Sequence, residues 1–362
     1  MFVSKRGFSL IALLIALSIA GILSACNNSG GGPAASSSVS LQGAGATFPN
    51  PLYQKWLSEY SKLHPNVRID YQSIGSGGGI KQIQAQTVDF GASDAPMKDE
   101  DLKAASSEIL HVPTVLGAVV ITYNLAGTSK TLNFSPEVIA DIFLGKITKW
   151  NDPRIVADNS GVTLPSADIT VVHRSDGSGT SAVFTDYLSK VSGEWKTKVG
   201  TGTSPSWPIG IGGKGNEGVT GQVKNTPNTI GYVELAYAVQ NKLPVGHVKN
   251  SSGTFIEPTI DAVTAAAAAS VATTPDDLRV SITNAAGPQA YPISSYTYIL
   301  VYKNQKDAAK GKALVDFLWW GLHDGEGFAK ELQYAPLPAD IVKRAEAKIN
   351  SVTASGAPLR QG

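Results

Sequence analysis

The sequence is short of the residues that most often carry covalent or metal chemistry. It has one cysteine, Cys26, and five histidines in 362 residues. A single cysteine cannot close an internal disulfide or build a cysteine metal cluster. No His-Glu-x-x-His pattern and no Gly-x-Ser-x-Gly elbow occurs, so neither a zinc-protease nor a hydrolase signature is present. Excess charge of one sign is also missing, with 30 Lys and Arg against 29 Asp and Glu and no block of like charges. That argues against a nucleic-acid partner, which selects a basic face. Any site for an anion must then work by local dipoles rather than by a broad positive field.

What is present begins with a leader. Lys5 and Arg6 precede an apolar stretch from Phe8 to Leu23 that is short for a membrane span. It ends in Leu23-Ser24-Ala25-Cys26, which resembles a bacterial lipobox with Cys26 as the lipid-accepting residue. The alternative is an ordinary secretory signal with a chance cysteine. Cleavage before Cys26 removes two of the 30 basic side chains and no acidic one, so the formal charge becomes 28 − 29 = −1. Residues 1–25 thus read as a signal peptide and 26–38 as a flexible tether rich in Asn, Ser, Gly and Ala. At about 5–6 Å × √n, such a tether reaches roughly 20 Å. The remaining length suffices for two domains with substantial cores.

The stretch with the most chemistry is His173-Arg174-Ser175-Asp176-Gly177-Ser178-Gly179-Thr180-Ser181. An apolar run, residues 169–172, leads into it. A helical pattern leads out, with Val183, Phe184, Tyr187, Leu188 and Val191 on one face. The first amides of a helix lack internal partners, and the dipole adds partial positive charge there, so this is how an anion site is built. Ser178 and Thr180 offer hydroxyls. Arg174 offers a planar fork of donors, and Asp176 can hold that fork in place. A capped helix with no ligand would show the same pattern. Two comparable turns shift the balance.

Leu41-Gln42-Gly43-Ala44-Gly45-Ala46-Thr47-Phe48-Pro49 precedes an amphipathic helix carrying Leu52, Tyr53, Trp56, Leu57, Tyr60 and Leu63. Gly75-Ser76-Gly77-Gly78-Gly79 follows an alternating strand, Val67, Ile69 and Tyr71, and precedes a helix over 80–86. A strand and turn then bring Asp94, which is either a turn-forming aspartate or a carboxylate in a site. Residues 210–218 read as a further glycine-rich loop. It contains Lys214, but Gly215 stands where a Walker loop needs Ser or Thr. Residues 113–124, 229–237 and 296–302 read as buried strands, 135–150 and 260–272 as helices. Alternating strands and helices predict an α/β fold with mainly parallel sheets and a ligand at the strand carboxyl ends.

Gly43–Pro49, Gly75–Ile83 with Val88–Pro96, and Arg174–Ser181 together resemble the periplasmic phosphate-binding proteins of bacterial phosphate transporters. The likeness continues through Trp207–Asn216 and Ile230–Glu234. It implies a type II-like binding-protein fold of two lobes, with phosphate in the cleft. The lobes would comprise 39–117 plus 292–362, and 118–291. It implies phosphate contacts from Ala46, Thr47, Phe48, Ser76, Asp94, Arg174, Ser178, Gly179 and Thr180, with Asp176 as the ion-pair partner of Arg174. Asp94 would accept a hydrogen bond from the phosphate's own proton. His173 departs from the pattern, since some members have a second Arg there.

The resemblance further implies a monomer without cofactor or metal. It would be exported and lipid-anchored to a membrane, and would deliver inorganic phosphate to an ABC permease with its ATPase. The competing class is a secreted phosphatase or esterase, with Ser76 or Ser178 as nucleophile and His173 as base. His64, His111, His247 and His323 sit in unrelated contexts.

Overall fold

The computed structural model describes residues 38–127 and 130–360. The leader, the tether up to residue 37 and Cys26 lie outside the described residues. Residues 38–362 form one compact unit. Its main sheet has eight strands: β1 (Val39–Gly45), β2 (Val67–Ser73), β3 (Phe90–Ser93), β4 (Ile109–Asn124), β5 (Thr170–Arg174), β6 (Ile211–Gly213), β7 (Thr229–Glu234) and β8 (Ser294–Tyr302). Their order is β2-β1-β3-β8-β4-β7-β5-β6. The outer pairings, β1 with β2 and β3, and β5 with β6 and β7, are parallel. The three central pairings, β3–β8, β8–β4 and β4–β7, are antiparallel.

The two long apolar runs are the reason for this centre. All of β4 but Asn124 is buried, and so is every residue of β8. Side chains on both faces of these strands are covered, which a nearly continuous apolar run permits. At about 3.3 Å per residue, β4 is roughly 50 Å long. It is long enough to serve two neighbours in turn. Ile109 to Ala118 pair with β8, and Val119 to Asn124 pair with β7. At the changeover the Val119 amide donates to the Ile293 carbonyl at 2.8 Å. Pro113, which has no amide to donate, sits where the β4–β8 register slips by one residue.

This topology decides where the strand ends point. Ser93, at the carboxyl end of β3, lies opposite Tyr298, four residues from the Ser294–Ala118 pair at the changeover. Glu234, at the carboxyl end of β7, lies opposite Val119. The carboxyl ends of the two halves therefore face one another across the middle of β4.

Several sequence expectations shift at their edges. Helix Ser76–Gln84 starts inside the glycine run instead of after it. The loop expected at 210–218 holds β6 and the start of helix Gly215–Asn225. The β-like run 229–237 breaks at Glu234, whose carboxylate caps helix Leu235–Gln240 by accepting from the Ala236 amide. The 135–150 helix is only Pro136–Phe143, and the alanine-rich helix is Ile260–Ala268. Leu63, placed on the buried face of helix Asn50–Leu63, is 62% exposed. These misses share a cause, because propensity and periodicity blur where a cap or a glycine ends an element.

Candidate functional site

Three turns named from sequence meet at the changeover of β4. The first leaves β1 and enters helix Asn50–Leu63, whose first turn tolerates Pro51 because its amides need no partner. Thr47 is buried there. The Phe48 side chain is buried in the core beside Tyr334, so only its backbone faces elsewhere.

The second turn starts helix Ser76–Gln84. Gly75 has φ 86°, and a Cβ there would lie 2.4 Å from Asp176 Oδ2. Only glycine meets both demands. Ser76 is fully buried. Its Oγ accepts from the Asp94 amide at 3.2 Å and donates to Asp94 Oδ2 at 3.4 Å. Thr297 Oγ1, from β8, donates to Asp94 Oδ1 at 2.9 Å. Burial pushes the Asp94 carboxyl up to about 7, against the pull of Thr297, Arg174 and Ser76.

The third turn joins β5 to helix Gly179–Val191. Arg174 donates from Nε to Asp176 Oδ1 at 2.8 Å and from Nη2 to Oδ2 at 2.6 Å, a two-pronged pair. Burial pushes the Asp176 carboxyl up, yet the Arg174 guanidinium and the Gly215 amide outweigh it and leave it below the usual range. Arg174 Nη1 reaches Thr180 Oγ1 at 3.4 Å. Ser178 caps the helix by accepting from the Ser181 amide at 3.0 Å, which leaves its hydroxyl hydrogen free.

The turns touch directly. The Gly77 amide donates to the Gly177 carbonyl at 3.0 Å. A Cβ on Gly179 would lie 2.3 Å from Ser76 Oγ and 2.4 Å from Asp94 Oδ2. Asn216, at the start of helix Gly215–Asn225, ties the rest together. Its Nδ2 donates to Thr47 Oγ1 at 2.8 Å and to Thr180 Oγ1 at 3.1 Å. Thr47, Ser76, Asp94, Arg174, Ser178, Gly179 and Thr180 thus surround one buried polar spot. Two helix N-termini, Ser76–Gln84 and Gly179–Val191, open onto it.

Sequence reasoning missed Asn216 and Thr297. Asn216 lay in a segment read as a loop near the site, without a contact of its own. Thr297 lay within an apolar strand, and nothing local marks a threonine there as a carboxylate partner. His173 does not face either serine proposed as a nucleophile. Its ring stacks on Trp207 at 4.9 Å, and its Nδ1 lies 3.0 Å from the Arg174 carbonyl.

Two expected outcomes follow from this geometry. Gly179→Ala should drive the Ser76 turn and the Gly179 helix apart, and weaken anion binding at least about tenfold, since a bidentate or multi-donor site tolerates little displacement. Calorimetric titration reads this, and unchanged affinity would separate Gly179 from the site. The second concerns pH. The Asp94 carboxyl is raised from 3.8 to about 7, so the folded protein holds a proton that the unfolded chain releases. The stability it contributes is fully present below about pH 4 and is lost as pH rises through about 7, by at most about 4 kcal/mol. Urea unfolding of wild type and Asp94→Asn across this range should differ in slope. Parallel profiles would refute the assignment.

Comparison with known proteins agrees with the architecture. A family model described as a PBP superfamily domain matches residues 32–319. The solved structure of a phosphate-binding protein from Stenotrophomonas maltophilia superposes with a TM-score of 0.67, covering 89% of this chain and 99% of that one at 20% identity, which shows the fold. The fold is that of a solute-binding protein of the PBP superfamily. Among curated proteins, the phosphate-binding protein PstS of Xylella fastidiosa is 45% identical over 94% of this chain and 96% of its own length. That of Pasteurella multocida is 47% identical over 85% and 89%. The chain belongs to the PstS phosphate-binding protein family.

A second family model, of a prokaryotic N-terminal methylation motif, matches residues 3–25. It covers the segment read above as a lipoprotein signal. Among the described residues, no helix is long and apolar enough to cross a membrane, and no group of His, Cys, Asp and Glu could hold a metal.

Proposed function

We propose that this protein captures inorganic phosphate outside the cytoplasm and delivers it to an ABC-type permease for import. The observation that carries the reading is Asp94. A fully buried carboxyl is set among hydroxyls and beside two helix N-termini, with a buried guanidinium nearby. Donors alone would serve any oxyanion. A carboxyl among them serves one that carries a proton, because an anionic oxygen and a carboxylate face each other unpaired otherwise. In this reading phosphate is held by Ala46, Thr47 and Phe48 of the first turn, the donors of Ser76, Ser178, Gly179 and Thr180, Arg174 held by Asp176, and Asp94 as acceptor.

The two lobes are residues 39–117 plus 292–362, and 118–291. The changeover from Ala118 to Val119 and its contact with Ile293 support that division. The protein works as a monomer by binding, without turnover. The placement of His173 against Trp207, away from Ser76 and Ser178, supports binding over hydrolysis. A lipid on Cys26 holds it at the membrane, next to the permease.

The deciding experiment is calorimetric titration of phosphate and of sulfate into protein stripped of bound ligand. At pH 8, tight phosphate binding with no measurable sulfate binding is expected. Equal affinities, or none for phosphate, would end this reading.

A further inference from the structure

Three consecutive carbonyls of the first turn are each held by a different tyrosine. Tyr71 donates to the Ala46 carbonyl at 2.6 Å, Tyr237 to the Thr47 carbonyl at 2.6 Å, and Tyr334 to the Phe48 carbonyl at 2.7 Å. The tyrosines come from β2, from helix Leu235–Gln240 and from a segment near the C-terminus, so the sequence does not group them. Burial pushes all three phenols above their ordinary range, so they act as donors throughout the neutral range.

We propose that these three hydroxyls position the first anion turn, and that Tyr237 does so only when the two halves of the molecule are together. In a trans peptide the N–H points opposite to the carbonyl of the same plane. Fixing the Ala46 and Thr47 carbonyls therefore fixes the amides of Thr47 and Phe48, facing away from the tyrosines. The third carbonyl shares its plane with Pro49, which has no N–H, so Tyr334 anchors the end of the turn without aiming a donor.

The origin of each tyrosine gives it a separate part. Tyr71 sits on β2, beside β1, in the same half as the turn. Tyr237 follows β7, in the other half, and its hydroxyl also lies 3.0 Å from Glu217 Oε1. Asn216 reaches Thr47 from that same half. Separating the halves would take Tyr237 from the Thr47 carbonyl and Asn216 from the Thr47 hydroxyl at once. The first turn is thus fully ordered only in the closed molecule, which couples closure to assembly of the donors.

The inference rests on the phosphate-binding reading, and its test is kept separate from it. Tyr71→Phe, Tyr237→Phe and Tyr334→Phe each remove one oxygen and keep the ring. Titration of phosphate into wild type comes first, and absence of binding there would sink the reading itself. With wild-type binding in hand, Tyr71→Phe and Tyr237→Phe are expected to raise Kd about five- to tenfold each, as loss of one hydrogen bond would. Tyr334→Phe should change Kd less. Stopped-flow release should separate the first two: Tyr237→Phe raises the phosphate off-rate, and small-angle scattering shows a larger ligand-free radius. Tyr71→Phe leaves that radius unchanged. A purely structural role would lower the melting temperature of each variant and leave Kd at the wild-type value. That result, or equal scattering for Tyr237→Phe and Tyr71→Phe, would overturn the proposal.

Discussion

Asp94→Asn is expected to admit sulfate. The asparagine amide can donate where the carboxylate can only accept, so a fully ionised oxyanion no longer meets a bare negative charge. A site built around one hydrogen bond of defined direction rejects the wrong partner by about 10⁴-fold or more, and most of that margin should vanish in the variant. Phosphate should still bind, because its remaining oxygens keep their donors. The structure adds a pH arm. With its carboxyl near 7, Asp94 takes up its own proton on acidification. Wild-type protein should therefore bind sulfate better at pH 5 than at pH 8, while Asp94→Asn should show no such trend. Titration calorimetry of both proteins with both anions measures this. No sulfate binding by the variant at millimolar concentration would remove Asp94 from its role as the proton-checking group.

Arg174→Ala should be the most damaging substitution in the site. The Arg174 side chain is 1% exposed and that of Asp176 13%. Deleting one partner of so enclosed a pair leaves the other uncompensated, at a cost of roughly 3–5 kcal/mol in stability. It also removes the guanidinium from the anion, and phosphate affinity should fall by about 100-fold or more, as hydrogen bonds to charged groups are the strong ones. Arg174→Lys separates the two effects. Lysine keeps the charge and loses the two-pronged fit to Asp176, so it should recover part of the stability and little of the affinity. Urea unfolding and phosphate titration of the three proteins provide the readout. Wild-type affinity in Arg174→Ala would place the guanidinium outside the site.

The site and the fold were legible in the sequence to different depths. Arg174, Asp176, Ser178 and Thr180 fall within seven residues on one strand–turn–helix, so their grouping needs no tertiary information. Ser76 and Thr47 likewise announce themselves through the glycines beside them. Asp94 was ambiguous by itself, since an aspartate after a strand is as often a turn former. The structure places Thr297 and Ser76 on its two oxygens. Thr297 lies 203 residues away along the chain. Asn216 was hidden for a related reason. The glycines around it suggested a loop, and its two threonine partners lie 169 and 36 residues away.

Local order along the chain was enough to mark the main strand segments and the glycine turns that carry hydroxyl and amide donors. Those properties depend on neighbours in sequence: apolar period, glycine and hydroxyl placement, and residue type. Where those turns point, and what stands behind them, came only with the folded chain. β4 is one strand shared between two partners, and its antiparallel neighbours aim the strand ends of each half at the other. Direction across a sheet arises from pairing between segments far apart. No local pattern encodes it, just as none could have gathered Tyr71, Tyr237 and Tyr334 onto three adjacent carbonyls.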